Sequence, residues 1–193
     1  MKKALIAAAT VAALASPQAF AQANNFTGFS VGLNANLVSA STEIGGASTK
    51  IGDTTQTASL EGAYGFAMGR SGALGVGLTY NLGDTKAGTI SGTDFKGKDM
   101  YSVYVAPGYV LNSDTWLYGK LAYQSMKGEL SSGIGSATFD GYGYGAGARA
   151  MLSRNMYLQI EFMQAAYGEK TIGTTAKLKP SETHGSIGIG FKF

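Results

Sequence analysis

Few residues of this sequence could do chemistry. Glu182, His184 and Ser186 fall at alternate positions near its end, an acid, a base and a hydroxyl of the kinds that nucleophilic catalysis uses. On an extended strand they share a face, yet neighbours at that spacing stand about 7 Å apart, too far for an undistorted Ser–His hydrogen bond. They read as residues lining a polar face, and no catalytic residue is expected. The chain has one histidine and no cysteine, which excludes a thiol nucleophile, a disulfide framework and any cysteine-based metal centre. No cofactor and no metal site are expected. Gly143, Gly145 and Gly147 mimic part of a phosphate-binding loop, but Ala148 breaks the required spacing and no helix follows.

The second constellation is electrostatic. Glu61, Lys120, Arg149 and Glu161 each lie within a run of alternating apolar residues, always on the polar side of the run. Buried charges persist only when paired. The pattern therefore predicts an ion-pair network filling an interior, with a gate for small ions as the alternative.

The elements that must position these residues are legible from periodicity. Apolar residues recur with period two in eight segments: Phe26 to Val38, Ala58 to Gly69, Ala73 to Gly83, Met100 to Asn112, Thr115 to Met126, Phe139 to Leu152, Asn155 to Tyr167 and Glu182 to Phe193. In the first, Phe29, Val31, Leu33, Ala35 and Leu37 oppose Ser30, Gly32, Asn34 and Asn36. Glu61, Lys120, Arg149, Glu161, Glu182 and Lys192 all take the polar face and none the apolar one. One face thus meets something that rejects charge. The other is rich in Gly, Ser, Ala and Asn, which suits a crowded interior better than a solvated exterior. Strands placed in lipid must close into a barrel, because open edges leave backbone groups unpaired. The expected fold is all-β: an eight-stranded, antiparallel, up-and-down transmembrane β-barrel.

The connections alternate in length. Arg70-Ser71-Gly72, Asn112-Ser113-Asp114 and Ser153-Arg154-Asn155 are tight, whereas Ser39 to Gln56, Asp84 to Asp99, Lys127 to Thr138 and Gly168 to Ser181 are long and polar. Short periplasmic turns and long external loops place both termini in the periplasm. Tyr80, Tyr101, Tyr109, Trp116, Tyr123 and Phe191, near segment ends, are expected in the interfacial girdles. Pro107, within the fourth segment, should remove a ladder hydrogen bond and cause a local bulge or bend.

Residues 1–21 read as a secretory leader: Lys2 and Lys3, an apolar stretch from Ala4 to Ala15, and Ala19-Phe20-Ala21 as the cleavage site. The barrel domain is then 22–193. The net charge of +3 includes the two leader lysines, so the mature chain carries +1, too little for a nucleic-acid footprint.

Gly-Ile-Gly-Phe-Lys-Phe, ending on Phe191 and Phe193, resembles the assembly signal of outer-membrane barrels. With the leader, the eight segments and the run Tyr142-Gly143-Tyr144-Gly145-Ala146-Gly147, the chain resembles the small outer-membrane barrels. These include outer-membrane protein X, the transmembrane domain of outer-membrane protein A, and the opacity-type surface antigens. The resemblance implies a Gram-negative source, insertion by the barrel-assembly machinery with periplasmic chaperones, and contact with outer-membrane lipids and lipopolysaccharide. It also implies interior charges like those of the outer-membrane protein A domain, and function in envelope integrity or surface adhesion through loops that bind a host or surface ligand. A narrow ion-conducting porin is the alternative. His184-Gly185-Ser186 resembles the His-x-Ser of lipid A deacylase barrels, whose site faces lipid and has an acidic residue downstream. Here the pair points inward and the chain soon ends, so a lipid A-modifying enzyme ranks third and a soluble lipocalin-like carrier fourth. Lys170, Lys177 and Lys179 give the last loop a slight positive excess, read as solvated charge.

Overall fold

The computed structural model describes residues 23–45, 50–90, 92–131, 135–172 and 176–193; the expected leader lies outside them. Among these residues a 3-10 turn, Ala23–Phe26, is followed by ten antiparallel strands. They are β1 (Gly28–Ile44), β2 (Lys50–Met68), β3 (Gly72–Asn81), β4 (Thr85–Ile90), β5 (Thr93–Asn112), β6 (Thr115–Leu130), β7 (Ser136–Met151), β8 (Met156–Tyr167), β9 (Lys170–Ile172) and β10 (Ala176–Lys192). The sheet order is β1-β2-β3-β5-β6-β7-β8-β10-β9, β4 pairs with β5, and β1 pairs on its other edge with β10.

The expectation of eight strands in simple up-and-down order is therefore corrected. Among the described residues ten strands are present, and β4 and β9 lie in stretches the sequence reading assigned to loops. Both extra strands extend hairpins past the apolar segments: β4 pairs with the first residues of β5, and β9 with the first residues of β10. β1, β2, β5, β6, β7 and β10 likewise run beyond the expected segments. Apolar alternation marks only the part of a strand that has an apolar face to hide, so it misses hairpin stretches held by backbone pairing and polar side chains.

Within the apolar segments the period of two governs burial. On β1, Phe29, Val31, Leu33 and Leu37 are exposed, while Ser30, Asn34, Val38 and Ala40 are buried. The outward faces of β2, β3, β5, β6, β7, β8 and β10 continue the apolar band, with Ile160 at 60% and Phe162 at 61% exposure. A contiguous apolar surface of this extent is not stable in water.

The bulge expected at Pro107 and the girdle position expected of Trp116 are not found. The register between β5 and β6 shifts between Lys98 and Tyr101 and between Val110 and Asn112, and Pro107 faces out opposite Leu74 with no shift of its own. The distortion at the first site is carried by Asp99, whose φ is +49°. Trp116 is 3% exposed, inside the sheet and not in a girdle, because it falls on the same face of β6 as Tyr118 and Lys120. Its ring lies 4.4 Å from that of Tyr118 and 5.9 Å from that of Phe26. Facing glycines make room for such rings: a Cβ at Gly147 would stand 2.6 Å from Tyr118 Cζ.

Candidate functional site: the interior charge cluster

Glu61 on β2, Lys120 on β6, Arg149 on β7 and Glu161 on β8 converge inside the sheet. Each occupies the inward register of a strand whose outward neighbours are apolar, so the alternation that hides the backbone from lipid also aims these side chains at one another. Lys120 Nζ donates to Glu161 Oε2 at 2.8 Å and Oε1 at 3.0 Å, and lies 3.7 Å from Glu61 Oε2. Arg149 Nη2 donates to Glu61 Oε1 at 2.8 Å. Lys120 thus bridges the two carboxylates, and the four charges sum to zero.

Residues that charge sorting alone did not single out complete the network. Gln159 accepts from Arg149 Nη2 at 2.7 Å and donates through Nε2 to Asn34 Oδ1 at 2.8 Å and Glu61 Oε2 at 3.2 Å. The Tyr118 hydroxyl donates to Glu161 Oε1 at 2.7 Å. Lys120 Nζ sits 3.8 Å from the centroid of the Tyr104 ring, and the Arg149 guanidinium 4.0 Å from that of Tyr157. These rings compensate cations that have left water. The signal for them was present: Gln159, Tyr104, Tyr118 and Tyr157 are polar-ended residues on the inward face.

The cluster is layered between apolar zones. Toward the end where Ala23 and Phe193 lie, the terminal end, are Ala23, Phe26, Ala63, Ala73, Ala106, Val110, Trp116 and Tyr118. Toward the opposite, loop end lie a polar chamber of about 50 Å³ and then a second apolar layer including Val38, Phe95, Phe139 and Leu178. The chamber is lined by Asn36, Ser59, Asn81, Gln124, Glu182, His184 and Ser186 among others, and such a polar volume has room for a few waters. Glu182 lies 2.8 Å from the Tyr167 hydroxyl, which donates to it. Glu182, His184 and Ser186 therefore line the chamber together with the bridging Lys120.

At the terminal end Phe191 and Phe193 face outward, with rings 5.3 Å apart and edge-on; the Phe193 ring is 5.8 Å from that of Phe29. Among the described residues no group of three or more His, Asp or Glu could hold a metal ion.

Similar folds have been solved. Neisserial surface protein A is 17% identical, with a TM-score of 0.58, covering 86% of this chain and 98% of its own. Ail, the attachment invasion locus protein of Yersinia pestis, solved in complex with the heparin analogue sucrose octasulfate, is 18% identical with a TM-score of 0.52, covering 86% and 100%. The outer membrane protein OprG from Pseudomonas aeruginosa is 14% identical with a TM-score of 0.52, covering 87% and 97%. A search of curated proteins found no match. Residues 4–193 match the family described as the outer membrane protein beta-barrel domain. The apolar outward band, the inward charges and this match agree, and the chain belongs to that family of Gram-negative outer-membrane β-barrel proteins.

Proposed function

We propose that the protein is a non-enzymatic, integral outer-membrane protein whose interior is closed by its own side chains and whose loop end does the biological work, in envelope integrity or surface adhesion. The interior carries this reading: a neutral, hydrogen-bonded charge cluster lies between two apolar layers. Water-filled conduction needs a continuous polar path, and buried rings stand toward both ends of this one, Phe26 and Trp116 at one and Phe95 and Phe139 at the other. Ail, the attachment invasion locus protein, of similar fold and solved in complex with a heparin analogue, supports surface binding as the use of such a scaffold.

In this reading residues 1–21 are removed as a leader, and 22–193 form the barrel with both termini in the periplasm. Phe191 and Phe193 serve as the assembly signal read by the barrel-assembly machinery. Glu61, Lys120, Arg149 and Glu161 act as the interior plug. Lipopolysaccharide and outer-leaflet lipid surround the apolar band, and the loops meet the host or surface ligand. A narrow ion-conducting pore is the second reading, favoured by the polar chamber beside Lys120.

Single-channel conductance of the refolded protein in planar bilayers separates the two. Silence from a folded, inserted protein supports the closed scaffold; steady openings that change in a Lys120→Ala, Arg149→Ala variant establish the pore.

A further inference from the structure

The 3-10 turn Ala23–Phe26 belongs to no strand, yet its first and last residues are buried. Ala23 is 0% and Phe26 5% exposed. Asn25 Nδ2 donates to the carbonyl of Ser113 at 2.8 Å, tying the turn to the β5–β6 connection across the mouth. Thr27 closes the turn by donating through its N–H, at 3.2 Å, and through Oγ1, at 2.8 Å, to the carbonyl of Asn24. The Phe26 carbonyl lies against Gly65 of β2, where a Cβ would collide with it. A glycine thus forms the seat.

Behind Phe26 stands the charge cluster. One void of about 10 Å³ is lined by Phe26, Tyr104, Trp116, Tyr118, Arg149 and Glu161 among others. A second, also about 10 Å³, is bounded by Asn25, Phe26, Ser30, Arg149 and Tyr157 among others. Each holds about one water. Both voids thus border Phe26 on one side and Arg149 on the other.

We infer that the Ala23–Phe26 turn is a removable plug of the terminal mouth, with Phe26 as its stopper against Trp116, and that it keeps water and small solutes from the Arg149–Glu61 pair. The inference rests on the closed-interior reading and adds which segment does the closing at this end. Because the turn lies outside the strand ladder, it can leave its seat without breaking strand pairing. The charge cluster would remain as an inner barrier.

The absence of cysteine from the sequence makes single-thiol labelling clean. Ser30 is 5% exposed and borders the void between Phe26 and Arg149; Ser186, 9% exposed, lines the chamber beyond the charge cluster. Ser30→Cys and Ser186→Cys are each made alone and with Phe26→Ala in the full refolded chain. Labelling by a small charged methanethiosulfonate is timed, with heat-modifiable gel mobility confirming the fold. The plug requires Ser30→Cys to react slowly alone and at least about tenfold faster with Phe26→Ala, while Ser186→Cys stays slow in both. Slow labelling of Ser30→Cys with and without Phe26 overturns the plug and leaves the closed interior standing. Fast labelling of both thiols in the otherwise unaltered chain overturns both readings. Equal acceleration at both sites means general loosening and also overturns the plug. If Phe26→Ala does not fold, Asn25→Ala, which frees the turn from Ser113, must raise Ser30→Cys labelling selectively, or the inference fails.

Discussion

Arg149 and Glu61, 88 residues apart in sequence, meet at 2.8 Å with side chains 9% and 1% exposed. Their contact draws β2 and β7, which are not neighbours in the sheet, to one point of the interior. Arg149→Met leaves Glu61 with Lys120 at 3.7 Å as its remaining cation, and removing one partner of a buried pair costs about 3–5 kcal/mol. Urea unfolding of the refolded protein should show a loss of that order. Adding Glu61→Gln to Arg149→Met removes the stranded charge and should recover part of it.

Gly147 faces the ring of Tyr118. Gly147→Leu forces that ring, and with it the hydroxyl bonded to Glu161, to shift. Overpacking of this kind costs about 1–3 kcal/mol, measured by the same unfolding curve. Tyr118→Ala in the Gly147→Leu background should relieve the clash, so the two changes together should cost less than the sum of the separate ones.

Ile160 is 60% exposed on the outward face of β8, between the outward residues Ala148 and Ile187 of the neighbouring strands. A lysine there must sit in hydrocarbon, at about 2–4 kcal/mol near the bilayer midplane. Ile160→Lys should therefore destabilise the lipid-inserted protein by an amount that grows as the bilayer is made thicker. A water-exposed face would show no thickness dependence.

The β4–β5 hairpin stands beyond the apolar band, and its Lys86 and Asp94 side chains are about a third exposed. The Thr89 hydroxyl, donating at 2.8 Å, and then the Lys86 ammonium at 3.1 Å hold the Asp94 carboxyl below its ordinary range. A carboxylate lowered in the folded state adds stability above its unfolded pKa and loses it as pH falls through the folded value. Protection factors of the hairpin amides, taken against the intrinsic exchange rate at each pH, should fall on acidification below the ordinary aspartate range. Thr89→Ala should raise the Asp94 pKa in an NMR titration and move the onset of that loss of protection to higher pH.

Much of this architecture was legible because lipid imposes a simple rule. Alternation assigned Leu33, Leu121 and Phe162 to one face and Glu61, Lys120 and Arg149 to the other, and the structure places them on those faces. The rule is silent past the apolar band. Thr85–Ile90 and Lys170–Ile172 are strands because hairpin backbones pair there, with no hydrophobic period to announce them. Trp116 misled for a related reason: position near a segment end suggested an interfacial anchor, whereas face parity with Tyr118 and Lys120 sends it inward. At the site, parity could nominate Gln159 and Tyr118, but which inward residues meet depends on register across several strands, and a single-strand pattern does not contain that.

The inward position of Trp116 also determines what light can report about this protein. It is the sole tryptophan of the sequence and is wedged between Phe26 and Tyr118. Tryptophans of membrane barrels that sit in the interfacial belt answer to lipid. Here the indole is screened from acyl chains by the wall of strands, so brominated lipids should scarcely quench its emission. Its spectrum should instead follow the moment when the Ala23–Phe26 turn and the strands shut around it, making insertion optically quiet and interior packing bright.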